Sequence, residues 1–178
     1  MDWKKTINKD WTLFLDRDGV INVRIVDGYV TKIDEFEFLP NVLDAFKIFN
    51  EKFARIIIVT NQQGVGKGIM KNEDVENVHL YMIQQVTNNG GRIDKVYFCP
   101  QLKSVADNYR KPNPQMAYFA KNEFPDIDLE KSVMIGDMDS DIEFGKNAGM
   151  KTVFVGDNEL KTNPDDRFNS LYDFAKII

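Results

Sequence analysis

Five short stretches of this chain are apolar almost without interruption: WTLFLD (11–16), ARIIIVTN (54–61), KVYFC (95–99), SVMIGD (132–137) and KTVFVG (151–156). Runs of this length, rich in β-branched and aromatic residues, are what strands buried on both faces require. Between them the period changes. PNVLDAFKIFNEK (40–52) sets Val42, Ala45, Phe46 and Phe49 at helical spacing behind Pro40, and NEDVENVHLYMIQQVTNNGG (72–91) does the same with Val75, Val78, Met82 and Val86 before a Gly-Gly stop. NPQMAYFAKNEF, SDIEFGKNAG and NSLYDFAKII supply the remaining helices. Strand and helix in alternation predict an α/β fold: a Rossmann-like three-layer sandwich with a mainly parallel, five-stranded central sheet and helices on both faces. With 178 residues, 43% of them hydrophobic, the expected organisation is a single domain over 1–178.

In such sheets ligands sit beyond the carboxyl ends of the strands, so polar residues should collect where the apolar runs stop. They do. The first run ends at Asp16, the second at Thr60-Asn61, the fourth at Gly136-Asp137, and the pair Arg110-Lys111 follows the third. Asp16 opens the stretch Asp16-Arg17-Asp18-Gly19, two carboxylates one residue apart. On its own a D-x-D is more often a solvated turn than a catalytic feature. With a second acidic cluster at another strand end, the repulsion asks for a cation. Mg2+ accepts a few carboxylates, a carbonyl and retained waters. Asp16 and Asp137 are the expected side-chain ligands and the Asp18 carbonyl a third, with Asp141 holding the ion or its waters from behind.

A carboxylate held this way can attack phosphorus and form an aspartyl phosphate. Asp16 is the candidate nucleophile. Asp18, two residues on and on the same side of an extended chain, is the candidate acid/base. The transferring group also needs donors. Thr60, the Asn61 amide, backbone N–H groups around Gly19 and the Lys111 ammonium are the candidates, with Arg110 divided between substrate binding and solvated surface.

FLDRDGVIN, IVTNQQGVGKG, YRKPNP and MIGDMDSDIEFGKNAG stand in the order and spacing of the four motifs of the haloacid dehalogenase (HAD) superfamily of phosphohydrolases, and the resemblance covers roughly residues 10–156. It implies a Rossmann-like core, Mg2+ dependence, Asp16 as nucleophile, Asp18 as acid/base, Thr60 and Lys111 as phosphate ligands and Asp137 on the metal. DGYVTKIDEFEFLPNVLDAF, TNQQGVGKG and RKPNPQM further resemble the branch of D-glycero-D-manno-heptose 1,7-bisphosphate and histidinol-phosphate phosphatases. Members of that branch commonly carry a zinc loop of three cysteines and a histidine. Here the stretch is FCPQLKSVADNYRKP, with Cys99 alone, so no zinc is expected. Only 42 positions separate Asp18 from Thr60 and 51 separate Thr60 from Lys111, both occupied by core elements, so a capless enzyme is expected. Specificity then falls to loops 21–35, 62–71 and 100–110.

Other features read more plainly. GVGKG is no P-loop, since that pattern needs glycine at Asn61 and Ser or Thr at Gly68; Lys67 is left to meet a distal anionic group. His79, the only histidine, falls on a helix face apart from the strand ends and is read as surface or packing. Cys99 reads as a small buried apolar residue. Arg17 should point away from its flanking aspartates into a structural ion pair or a substrate contact. NPDDRFNS reads as a solvated turn and helix start.

The formal charge of −5 is spread along the chain, which argues against nucleic acid or an anionic membrane as partner. One cysteine and no apolar span suit a cytoplasmic protein. The expected activity is Mg2+-dependent hydrolysis of a small phosphorylated metabolite, a sugar phosphate such as a heptose bisphosphate, by a monomer or weak homo-oligomer. Histidinol phosphate, a nucleic-acid 3′ phosphate, and a non-enzymatic phospho-accepting regulatory domain are the alternatives. A regulatory switch has no use for a proton carrier at Asp18.

Overall fold

The structure is a computed structural model and describes residues 2–178. Six strands form one parallel sheet: β1 (Thr12–Leu15), β2 (Arg55–Asn61), β3 (Lys95–Cys99), β4 (Ser132–Gly136), β5 (Lys151–Val155) and β6 (Asp166–Phe168), in the order β3-β2-β1-β4-β5-β6. The first five coincide with the apolar runs to within a residue or two. The sixth corrects the expected five. It lies in NPDDRFNS, where three residues, two of them charged, carry no periodic signal, yet they pair with β5 from Val153↔Asp166 to Val155↔Phe168.

Side chains alternate across the sheet, and each parity has its own helices. Leu13, Leu15, Ile56, Ile58, Val133 and Ile135 pack with α1 (Val42–Lys52), α2 (Asn72–Asn88) and α5 (Leu171–Ala175). Phe14, Ile57, Val59 and Met134 pack with α3 (Gln115–Glu123) and α4 (Asp139–Asn147). On the first face Phe49 is fully buried, its ring centroid 6.1 Å from Phe46, 5.9 Å from Phe53 and 6.1 Å from Phe174. The described helices include none long and apolar enough to cross a membrane.

This strand order places the functional edge. The chain builds outward from β1 through β2 to β3, then α3 carries it back across to β4 on the other side of β1. Diverging connections leave a crevice at the carboxyl ends of β1 and β4. With Leu15 paired to Ile135, Asp16 and Asp137 leave neighbouring strands at the same height. Among the described residues, the connection after β1 carries a 3₁₀ turn (Ile33–Glu35) and α1 and the connection after β2 carries α2, with no further named strand in either.

Replacing Phe49 by Ala removes the centre of the aromatic cluster and is expected to cost about 3–5 kcal/mol in urea unfolding. Leu80→Ala on the solvent side of α2, where Leu80 is 65% exposed, should change stability by less than about 0.5 kcal/mol.

Candidate active site

Asp16, Asp137 and Asp141 are all buried, and each offers a carboxylate oxygen within 4.8 Å of the others. The backbone is shaped for this approach. Gly19 has φ +85°, and a Cβ there would meet Asp137 Oδ2 at 2.1 Å, so only glycine lets the turn after β1 pass the second aspartate. Asp141 folds back over the strand end: its Oδ2 accepts the N–H groups of Asp137 and Met138, both at 3.1 Å, at the start of α4.

Two side-chain cations offset the three carboxylates. From inside, Lys111 Nζ lies 2.8 Å from Asp16 Oδ1 and 2.6 Å from Asp141 Oδ1 and donates to the Val59 carbonyl at 2.8 Å. Burial alone would lower the ammonium's affinity for its proton, but Asp141 and Asp16 outweigh it and hold the lysine above its ordinary value. From outside, Arg24 Nη2 donates to Asp137 Oδ1 and Oδ2 at 2.9 Å each and to the Asp18 carbonyl at 2.8 Å. Even so, burial raises the pKa of Asp16, with Asp141 adding to it, and burial followed by repulsion from Asp16 raises Asp137. An all-oxygen, anionic and crowded donor set is the kind that fits a hard divalent cation.

Asp18 has the opposite surroundings. Its carboxylate accepts from Arg17 Nη2 at 2.9 and 3.0 Å, Asn22 Nδ2 at 2.9 Å and Gln62 Nε2 at 2.9 Å. Burial pushes its pKa up, but Arg17 and the amides more than reverse this, and the group sits below its ordinary value. Behind it, Arg17 is completely buried, with Nη1 3.1 Å from His79 Nε2. A guanidinium has no acceptor, so Nε2 must accept and His79 is neutral with its proton on Nδ1. Burial, then Arg17, lowers the His79 pKa to about 3.

These groups open into a cleft of about 590 Å³ whose walls include Arg24 and Tyr29 from the loop after β1, Gln63 and Lys67 from the loop after β2, and Arg110. Lys67 lies over the Tyr29 ring, 5.4 Å from its centroid, and Arg110 Nη1 donates to Gln63 Oε1 at 3.2 Å.

Residues 108–173 match the HAD-hydrolase-like family model. The D-glycero-alpha-D-manno-heptose-1,7-bisphosphate 7-phosphatase of Mycobacterium tuberculosis is 36% identical over 173 residues, spanning 94% of this chain and 91% of its own. The enzyme of the same name from Campylobacter jejuni is 38% identical over 170 residues, 96% and 95% of the two chains. The chain belongs to the haloacid dehalogenase superfamily. It is a phosphatase, as these relatives are. The D,D-heptose 1,7-bisphosphate phosphatase of B. bronchiseptica, solved with magnesium and phosphate, matches it with a TM-score of 0.83 and 25% identity over 93% of this chain and 96% of that one.

Most residues that the sequence nominates for this phosphatase meet in the crevice: Asp16, Asp18, Thr60, Asn61, Arg110, Lys111 and Asp141 all line the cleft, with Asp137 and Gly19 against them. Several details differ from expectation. The Gly19 N–H is not free for a phosphoryl group, because it donates to the Asn22 carbonyl at 2.8 Å. The Asn61 amide instead clamps the Lys111 backbone, donating to its carbonyl at 3.1 Å and accepting from its N–H at 2.9 Å. Lys111 directs its ammonium at two carboxylates and a carbonyl. Arg17 does not point away from both aspartates but grips Asp18, because the chain leaves its extended path at Asp16: Val20, Ile21 and Asn22 all donate backbone N–H groups to the Arg17 carbonyl. His79 is a packing residue, T-shaped against Phe98, but it reaches the site through Arg17. Cys99 is buried among apolar side chains as read. Arg24 and Gln62, which touch the acidic groups directly, carried no sequence signal beyond membership of the loops assigned to specificity.

The unfolded chain protonates His79 near 6.5 and the folded one only near 3, so stability contributed by the neutral ring is complete above about 6.5 and declines as pH falls toward 3. Wild type should lose about 2 kcal/mol more than His79→Gln between pH 7 and pH 5 in urea unfolding. Parallel curves would remove the buried neutral histidine from the account.

Proposed function

We propose that this chain is a single-domain, Mg2+-dependent phosphomonoester hydrolase that acts through an aspartyl phosphate on a small phosphorylated sugar, D-glycero-D-manno-heptose 1,7-bisphosphate. The observation that carries the chemistry is the meeting of Asp16, Asp137 and Asp141 within 4.8 Å at the mouth of the sheet. The sugar is taken from relatives named for it that share more than a third of their residues with this chain over nearly its whole length.

Asp16, Asp137, the Asp18 carbonyl and Asp141 are the groups that would hold Mg2+. Bound there, the ion supplies charge stabilisation to the transferring phosphoryl group and screens the carboxylates from one another. The remaining work belongs to the chain. An Asp16 carboxylate oxygen attacks phosphorus in line with the ester oxygen, and the P–O bond to the sugar breaks as the new P–O bond forms. The departing alkoxide takes a proton from Asp18. A water then attacks the phosphorus of the aspartyl phosphate, Asp18 recovers a proton from it, and Asp16 is released with inorganic phosphate. Arg17, Asn22 and Gln62 stabilise Asp18 as the anion, which suits the second proton transfer and sets the first as the step that asks more of the site. Thr60 Oγ1 accepts from Gln62 Nε2 at 3.0 Å, which leaves its hydroxyl proton to be donated to a phosphoryl oxygen in the cleft it lines. Lys111 holds Asp16 in place and lowers the charge that the incoming phosphate must approach.

The deciding experiment is phosphate release from a panel of phosphorylated sugars, bisphosphates and histidinol phosphate, with the position of cleavage determined. Heptose 1,7-bisphosphate is expected to be the preferred substrate, and no hydrolysis of any member with Mg2+ present would overturn the reading. Asp16→Asn should abolish turnover, and Asp18→Asn should slow it by ~100-fold or more. Chelation should stop activity, with Mg2+ and not Zn2+ restoring it.

A further inference from the structure

The Arg24 guanidinium occupies an unusual position. Its Nη2 contacts the Asp18 carbonyl at 2.8 Å and both oxygens of Asp137 at 2.9 Å, and stands 4.0 Å from Asp16 Oδ2. Those are the same carbonyl and the same two carboxylates that would hold a divalent ion. A cation that binds oxygen at about 2.1 Å and a guanidinium at 2.8–2.9 Å cannot use these atoms together, because they compete for the same lone pairs and repel each other. One of them must leave when the other arrives.

Arg24 is built to leave. Its side chain is 42% exposed, whereas those of Asp16 and Asp137 are 9% and 7% exposed, so it reaches the carboxylates from the solvent side. Lys111 holds the other side of the cluster at only 2% exposure and is part of the fold. Arg24 springs from the loop after β1, and both it and the following residues to Tyr29 form a wall of the cleft. A guanidinium turned off Asp137 therefore stays tethered over the space where the phosphoryl group meets Asp16. Its planar fork of donors matches two phosphate oxygens.

We propose that Arg24 is a displaceable counter-cation: it neutralises the Asp16–Asp18–Asp137 oxygens until a divalent ion takes them, and the freed guanidinium then binds the phosphate of the substrate. The proposal rests on the reading of this acidic cluster as the Mg2+ site. It makes metal and phosphate binding cooperative through a single side chain, since the first ligand releases the group that the second one needs. Arg24 is thus a substrate-binding residue whose availability depends on the metal.

The test is calorimetric titration of wild type, Arg24→Gln and Asp137→Asn with Mg2+ alone, then with inorganic phosphate at saturating Mg2+, alongside melting curves in chelator and in Mg2+. With its competitor removed, Arg24→Gln should bind Mg2+ about tenfold more tightly than wild type. It should bind inorganic phosphate about tenfold more weakly and raise KM for the phosphorylated substrate similarly, with kcat changed less. Arg24→Gln should melt below wild type in chelator and level with it in Mg2+. Arg24→Lys, which keeps the charge but loses the fork, should fall between the two in each titration. Equal or weaker Mg2+ binding by Arg24→Gln, or a melting deficit unchanged by Mg2+, would make Arg24 an ordinary ion pair and overturn the proposal while leaving the metal site standing. Absence of Mg2+ binding by wild type and Arg24→Gln alike would overturn both.

Discussion

Three carboxylates drawn into one buried crevice are the constraint around which the rest of this molecule is arranged. The parallel sheet brings Asp16 and Asp137 off adjacent strands at the same height, and the start of α4 adds Asp141. Burial and mutual repulsion both oppose ionising such a group. Its surroundings answer from three directions: Lys111 from beneath, Arg24 from solvent, and the N–H groups of Asp137 and Met138 on Asp141. Two cations against three carboxylates leave the cluster short of positive charge and receptive to a further cation. The buried lysine is fixed by its backbone, which Asn61 holds through two hydrogen bonds, so the inner compensation is permanent and the outer one is not.

Asp16 and Asp18, two residues apart, are pushed in opposite directions by their neighbours. Asp16 is buried, with Asp141 against it, and its pKa rises; at Asp18 a guanidinium and two amides outweigh the burial and its pKa falls. The separation depends on a turn. Three successive N–H groups close on the Arg17 carbonyl, and in that turn the Asp18 carboxylate meets the amides of Asn22 and Gln62. Arg17, fully buried, is held in turn by neutral His79, so a helix at some distance along the chain bears on the orientation of the acid/base candidate.

What the sequence made legible is what depends on pattern. Continuous apolar runs marked β1 to β5, and the rule that ligands meet strand ends turned Asp16, Thr60 and Asp137 into one site. What it concealed depends on individual side-chain directions. β6 is three residues with Asp166 and Arg167 in it, held by pairing with β5 and by Phe168 against Phe174, neither of which leaves a periodic trace. The parity rule that sent Arg17 away from the aspartates holds for extended chain, and the chain is no longer extended there. Asn61 is placed by its position at a strand end, and that position does not show that its amide also clamps the Lys111 backbone. Arg24 lies in a loop without pattern, and its partner Asp137 is 113 residues distant, so only coordinates connect them.

Selection of substrate falls to the side chains that stand around the mouth of the crevice. The cleft of about 590 Å³ falls in the range of small-molecule sites, and its walls set the cations Arg24, Lys67 and Arg110 among Tyr29, Asp27 and the apolar Ile25, Val26 and Met138. Lys67 is steadied over Tyr29, and Arg110 is steadied by Gln63, so two charged ends are pre-positioned at the rim without being neutralised by a carboxylate. A substrate with one phosphate at Asp16 and a second anionic group some distance away would engage both the floor and this rim, whereas a simple monoester would engage only the floor. Because each rim contact is at least partly open to water and worth little alone, discrimination has to come from several of them acting together on one ligand.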